Sequence, residues 1–208
     1  MKKTTLIVTL IMLGGLAARG QEIQTVFKGA HSSGGYGAIT NKFTYINGEF
    51  ANMVGLYGGW YVNHRFLLGV GASAMTNYLQ VPIEASVNPA LDLSYGYVQM
   101  GLMTEYVFFS NKTFHFVFNL QTGAGLTFQY QRYDWHHNDT YDYDYPVKDV
   151  NWFFVAEPGV QLEINLLKWM RFSPGVSYRG VFGSDGRGLS DSGLSDMSYN
   201  LTLKFGKF

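Results

Sequence analysis

The chain has 208 residues, is 47% hydrophobic and 17% aromatic yet only 14% charged, and its fifteen basic and fifteen acidic side chains leave no formal net charge. Zero net charge excludes the basic footprint of a nucleic-acid-binding protein, and the absence of cysteine excludes a disulfide framework. A charged fraction this low also sits well under the roughly 25% of an ordinary soluble domain.

Met1 to Gly20 reads as a secretory signal peptide, with Lys2 and Lys3 at its start, an apolar run from Leu6 to Leu13, and Ala18-Arg19-Gly20 as a small-x-small cleavage site. Residues 21–35 read as a periplasmic lead-in. From Tyr36 to Phe208 the chain alternates an apolar row with a row of polar residues and glycine, the period of a half-buried strand. Met197, Tyr199, Leu201, Leu203 and Phe205 fall on one face, and Ser198, Asn200, Thr202, Lys204 and Gly206 on the other.

Eight strands are predicted near 36–46, 50–62, 66–78, 93–109, 113–131, 150–165, 170–183 and 195–208. Tight connections are expected at 63–65, 110–112 and 166–169. On the opposite side, 47–49 is short, while 79–92, 132–149 and 184–194 are longer. An even strand count with short turns at one end and longer loops at the other predicts an all-β fold: an eight-stranded antiparallel up-and-down transmembrane β-barrel over 36–208, with short periplasmic turns and longer extracellular loops.

Alternation alone does not say which face is inside, because a soluble lipocalin-like barrel would turn the apolar row inward. The polar row is Gly, Ser, Thr, Asn and Gln with few charges, whereas a water-facing sheet would carry more Lys and Glu. Aromatics such as Trp60, Phe114 and Trp169, or Tyr45, Trp152 and Tyr199, gather at strand ends, where membrane girdles lie. The apolar row is therefore expected to face lipid, at the outer membrane of a Gram-negative bacterium. In strands one and two the faces are less clear, since Tyr57 and Tyr61 share parity with Gly55 and Gly59. Pro158 and Pro174 sit mid-strand, and each should mark a bulge or a break in the ladder. Phe208 is out of phase with Phe205, which predicts a twisted chain end.

The segments Asn63-His64-Arg65-Phe66, Gly69-Val70-Gly71, Glu157-Pro158-Gly159, Gly188-Leu189-Ser190-Asp191-Ser192 and Leu203-Lys204-Phe205-Gly206-Lys207-Phe208 resemble a family of small outer-membrane barrel proteins of Bacteroidota. More loosely, the architecture is similar to OmpA- and OmpX-type barrels. The resemblance implies a fold, a location and a bacterial group, and no activity.

Inward parity collects Lys42, Glu105, Glu157, Glu163, Arg171, Arg179 and Lys204, with His115 nearby. Three carboxylates meet four cations in a narrow lumen where an isolated charge would be costly, so a salt-bridge network that plugs the barrel is expected. Register about the 166–169 turn puts Glu163 beside Arg171 or Ser173 and Glu157 near Ser177 or Arg179. A gated ion or proton path is the competing reading, but eight strands leave no open aqueous channel. Loop 132–149 interleaves Tyr133, Asp134, Trp135, His136, His137, Asp139, Tyr141 and Tyr143, a mixture suited to surface recognition or to folding over the barrel mouth.

A metal site at His136, His137 and Asp139 is weak because adjacent histidines in extended chain point apart, and the Asp-x-Asp run lacks the Gly and Glu of an EF-hand. No cofactor is expected. A lipid-modifying enzyme would place His136 or His137 with Asp134 near Ser184 or Ser195 at the rim, but no spacing selects them as a triad. A third reading is a barrel that binds or passes a small apolar ligand through a side opening at Pro158 and Pro174. The favoured one is a non-enzymatic barrel, structural or surface-recognising. Its expected partners are outer-membrane lipid, lipopolysaccharide, the barrel-assembly machinery and an unidentified extracellular ligand, with no nucleic acid.

Overall fold

The structure, a computed structural model, describes residues 33–63, 65–110, 112–131 and 148–208. Eight strands follow one another around a closed sheet: β1 (Ser33–Ile46), β2 (Glu49–Val62), β3 (Phe66–Met75), β4 (Leu93–Phe108), β5 (Phe114–Gln131), β6 (Lys148–Leu167), β7 (Met170–Phe182) and β8 (Asp196–Lys207). Each pairs antiparallel with its sequence neighbour, and β1 returns to β8 from Gly35↔Lys207 to Phe43↔Tyr199. Closure leaves no edge strand and satisfies the backbone within the wall.

Side-chain exposure settles the faces. Phe116 is 54% exposed and Leu162 38%, while Gln121 is 8% and Glu163 1% exposed. The apolar row faces outward and the polar row fills the interior, the inverse of a soluble barrel. In β1 and β2 the ambiguous tyrosines go inward: Tyr36, Tyr57 and Tyr61 are buried, packed beside inward glycines that leave them room.

Turn chemistry explains the ends. Asn47 and Gly48 both have positive φ and join β1 to β2 as a two-residue hairpin, matching the twist of the strands. Lys168 and Trp169 join β6 to β7 equally tightly, from Leu167↔Met170. β3 is shorter than the periodicity predicts and stops at Met75. There Thr76 and Asn77 turn back onto β2: Thr76 Oγ1 donates to Asn52 Oδ1 at 2.7 Å, and Asn77 Nδ2 to the Phe50 carbonyl at 2.9 Å.

Pro158 and Pro174 shift no register. Pairing between β6 and β7 runs from Ala156↔Gly180 to Gly159↔Ser177 and from Gln161↔Gly175 to Ile164↔Phe172, skipping the pairs that contain the prolines. On their other flanks Pro158 pairs with Leu120 and Pro174 with Leu201. Both missing N–H groups are thus absorbed on one seam. The register changes lie elsewhere, at Thr127/Gln129, where Asp149 has positive φ, and at Asn165/Leu167.

Inward glycines pair across the wall from β2 to β5: Gly59↔Gly69 and Gly71↔Gly101↔Gly123. A Cβ on Gly101 would lie 2.0 Å from the Thr122 carbonyl oxygen, and one on Gly59 2.3 Å from that of Leu68. Only glycine permits this backbone approach. Outside the same wall lies a shallow depression of about 680 Å³ among Leu56, Gly58, Val70, Ala72, Met100 and Leu102.

Two apolar clusters close the ends of the interior. At the turn end Tyr36, Tyr57, Tyr61, Leu67, Val107 and Val117 pack together, and Phe208 turns into them, 5.1 Å from the Tyr36 ring. At the loop end Leu79, Val81 and Ala85 from the β3–β4 loop meet Leu189 and Leu194 from the β7–β8 loop above inward Met53, Tyr97, Phe153 and Val181. The β7–β8 loop contains one helical turn, α1 (Asp191–Leu194), with Ser190 Oγ accepting from the Gly193 N–H.

Candidate functional site

Between the apolar ends lies a polar interior in two groups. The group nearer the loops centres on Glu157. Its carboxylate pairs with Lys42 Nζ at 2.7 Å and accepts from Gln99 Nε2 at 2.6 Å and Ser177 Oγ at 2.6 Å. Gln121 Oε1 accepts a second bond from Gln99 Nε2 at 3.2 Å, and Asn200 Nδ2 donates to Ser177 Oγ at 2.9 Å. Every oxygen of this buried carboxylate has a partner, the condition for keeping a charge out of water.

The second group centres on Lys204, whose ammonium bridges Glu105 at 2.8 Å and Glu163 at 2.7 Å. Tyr36 OH donates to Glu105 Oε2, and Tyr57 OH to Glu105 Oε1 at 2.8 Å. Glu163 Oε1 also meets Arg171 Nη1 at 2.5 Å and His115 Nε2 at 2.7 Å, while His115 Nδ1 faces the Lys112 carbonyl at 3.1 Å. The Arg171 guanidinium stacks 3.8 Å from the Phe208 ring centroid, which caps the group at the turn end.

Arg179 stands apart. Its Nε donates to the Leu194 carbonyl at 2.7 Å and its Nη2 to that of Tyr45 at 2.8 Å, and the guanidinium lies 5.1 Å from the Tyr97 ring centroid. Among the described residues no carboxylate pairs with it. It ties the last carbonyl of α1 to the β1 terminus, a structural staple at the mouth.

Between the two groups is a small cavity of about 20 Å³, room for roughly one water. Four residues lining it, Ser73, Asn119, Gln161 and Asn200, each carry a buried oxygen without a hydrogen-bond partner among the described residues. A single small hydrogen-bonding molecule fits there; a hydrated ion does not.

No protein-family model matches the chain, and no curated protein does. Among solved structures, neisserial surface protein A is similar at 10% identity and a TM-score of 0.54, covering 87% of this chain and all of that one. The fold is that of an eight-stranded outer-membrane barrel. More distant likenesses are Ail of Yersinia pestis, at 11% identity over 84% of this chain and 97% of that one, TM-score 0.46, and a major outer membrane protein of Thermus thermophilus, at 9% identity over 83% and 98%, TM-score 0.43.

At the rim of this barrel, Ser184 Oγ donates to Asn151 Oδ1 and to the Leu189 carbonyl, each at 3.2 Å, and Ser195 Oγ to the Asp191 carbonyl at 2.7 Å. Both hydroxyls thus hold loop structure, and neither has a histidine partner among the described residues. No group of three or more His, Asp or Glu among the described residues is placed to hold a metal ion. Tyr133, Asp134, Trp135, His136, His137, Asp139, Tyr141 and Tyr143 lie outside the described residues. Ser177 bonds Glu157 as the hairpin register predicts, whereas Tyr36, Tyr57 and Gln99 also belong to the interior groups and are missed by a reading that follows formal charge. The parity of Tyr57 with Gly55 and Gly59 is the available signal.

Proposed function

We propose that this protein is a non-enzymatic barrel of a Gram-negative outer membrane, its loop end outward, acting through its surface while its lumen stays shut. One observation carries this reading: apolar ends and a compensated polar middle fill the interior in series. Eight-stranded barrels have lumens just wide enough to be packed by side chains. An outward apolar row with aromatic ends fits lipid, and the likeness to neisserial surface protein A in fold supports the same setting.

The first 20 residues act as the cleaved export signal, and the resemblance to Bacteroidota barrels gives the bacterial group. The aromatic-acidic loop 132–149, through Tyr133, Trp135, Tyr141 and Tyr143, is the contact surface for an extracellular ligand. Lipid, lipopolysaccharide and the barrel-assembly machinery are the remaining partners.

Protein extracted in detergent should migrate faster before boiling than after, and reconstituted into a planar bilayer it should add no discrete conductance steps. Steps of constant size would overturn the closed-lumen reading. Lipid A from a deletion strain should have an unchanged mass profile, and an altered one would restore the enzyme reading.

A further inference from the structure

Among the described residues, the charges outside the lumen are segregated by end. At the turn end the described ionisable side chains are Arg65, Lys112, Lys168 and Lys207, all cations and all exposed; no Asp or Glu accompanies them in the described turns. At the loop end the carboxylates Glu49, Glu84, Asp92, Asp149, Asp185 and Asp191 outnumber Lys148 and Arg187. Among the described residues, the barrel thus has a basic turn end and an acidic loop end.

Two of these cations share a concavity. Arg65, in the β2–β3 turn, and Lys112, in the β4–β5 turn, line a hollow of about 350 Å³ with Tyr106, Phe108, Phe109 and Ser110. Phe108 is 46% and Phe109 73% exposed, so the aromatic wall stands at the level where rings sit between tail and headgroup. Phe109, directly after β4, adopts positive φ. The backbone around the hollow is already paired: Val107 N–H donates to the Arg65 carbonyl at 2.7 Å, and Lys112 N–H to the Phe109 carbonyl at 2.9 Å. What the hollow offers is two cationic heads beside an apolar, aromatic flank.

We propose that this hollow seats the phosphate headgroup of an anionic phospholipid in the leaflet at the turn end, with Lys168 and Lys207 extending the basic ring around the rim. The inference rests on the outer-membrane reading and names the lipid chemistry that end selects. Charge complementarity decides the occupant. Basic side chains at a membrane surface attract anionic headgroups by an amount equivalent to about fivefold in local concentration per cation, and salt screens it. The acidic loop end provides no such attraction, so the selectivity should be confined to one leaflet.

The test uses the full protein refolded into phosphatidylcholine vesicles containing spin-labelled phosphatidylglycerol or spin-labelled phosphatidylcholine as probe. Retained heat-modifiable migration in these vesicles shows that the barrel has inserted; failure there would count against the membrane barrel itself. Given insertion, the motionally restricted fraction should favour phosphatidylglycerol severalfold at low salt and fall toward parity in about 1 M salt, where screening is nearly complete. Arg65→Gln with Lys112→Gln should remove most of the preference, while Arg187→Gln at the loop end should keep it. Equal association of the two probes with wild-type protein, or an undiminished preference in the double variant, would overturn the proposal. If the double variant does not insert, the salt titration of wild-type protein decides alone: a preference unmoved by salt overturns it.

Discussion

Lys204 is the residue on which the interior turns. It is wholly buried and pairs with both Glu105 and Glu163, so its removal leaves Glu105 without a cation in a packed lumen, while Glu163 keeps Arg171 and His115. Breaking a buried ion pair from one side costs about 3–5 kcal/mol. Lys204→Met should therefore lower the urea midpoint of the refolded barrel by that equivalent. The double change with Glu105→Gln should recover part of it, and a single variant as stable as wild type would refute the account. Arg179 makes a different prediction. Its bonds go to backbone carbonyls of Leu194 and Tyr45, so Arg179→Met should cost about 1–3 kcal/mol and expose the β7–β8 loop to protease without disturbing the Glu157 group. Cleavage at an unchanged rate would show that the staple does not hold the loop.

At the scale of elements, the β6–β7 seam is the weak line of the wall. Pairing skips Pro158 and Pro174 there, whereas β4 and β5 pair without interruption from Leu93↔Gln131 to Phe108↔Phe116. Amides beside the gaps, such as Ala156 and Gly180, should exchange with solvent deuterium on the order of tenfold faster than those at the middle of β4 and β5. Uniform protection around the barrel would contradict this. Period-two patterning made the strands legible to within a few residues, because inside and outside demand opposite chemistry at every step. It could not show where the prolines' missing donors would point, since that depends on which neighbour each N–H faces. Nor did it show that Asp149 and Leu166, not the prolines, lie at the register shifts.

For the whole molecule, the closed cylinder and its polar interior could be read from composition and parity alone. The apolar plug at the loop end could not. Leu79, Val81, Leu189 and Leu194 sit singly in connecting segments, with no period to mark them, and only closure brings them together over Met53 and Phe153. Charge pairing was legible as a set but not as a pattern. Arg179 counts with the lumen cations by parity, yet the structure gives it carbonyl partners, while uncharged Tyr36 and Tyr57 complete the Glu105 shell. Because the loop plug and the Lys204 group lie in series, loosening one should not open a conduit. Leu194→Ser should therefore leave bilayer recordings silent even where it lowers thermal stability, and conductance steps in that variant would show that the plug is the sole barrier.

The glycine-to-glycine approach along β2 to β5 has a consequence for the surrounding bilayer. With Gly71, Gly101 and Gly123 letting adjacent backbones close in, the outer surface by Val70 and Leu102 is concave where a round barrel would bulge. In a bilayer, hydrocarbon tails passing that side would have to bend inward to avoid a void. A lipid annulus around such a cylinder would be uneven, with one flank where saturated, straight chains fit worst.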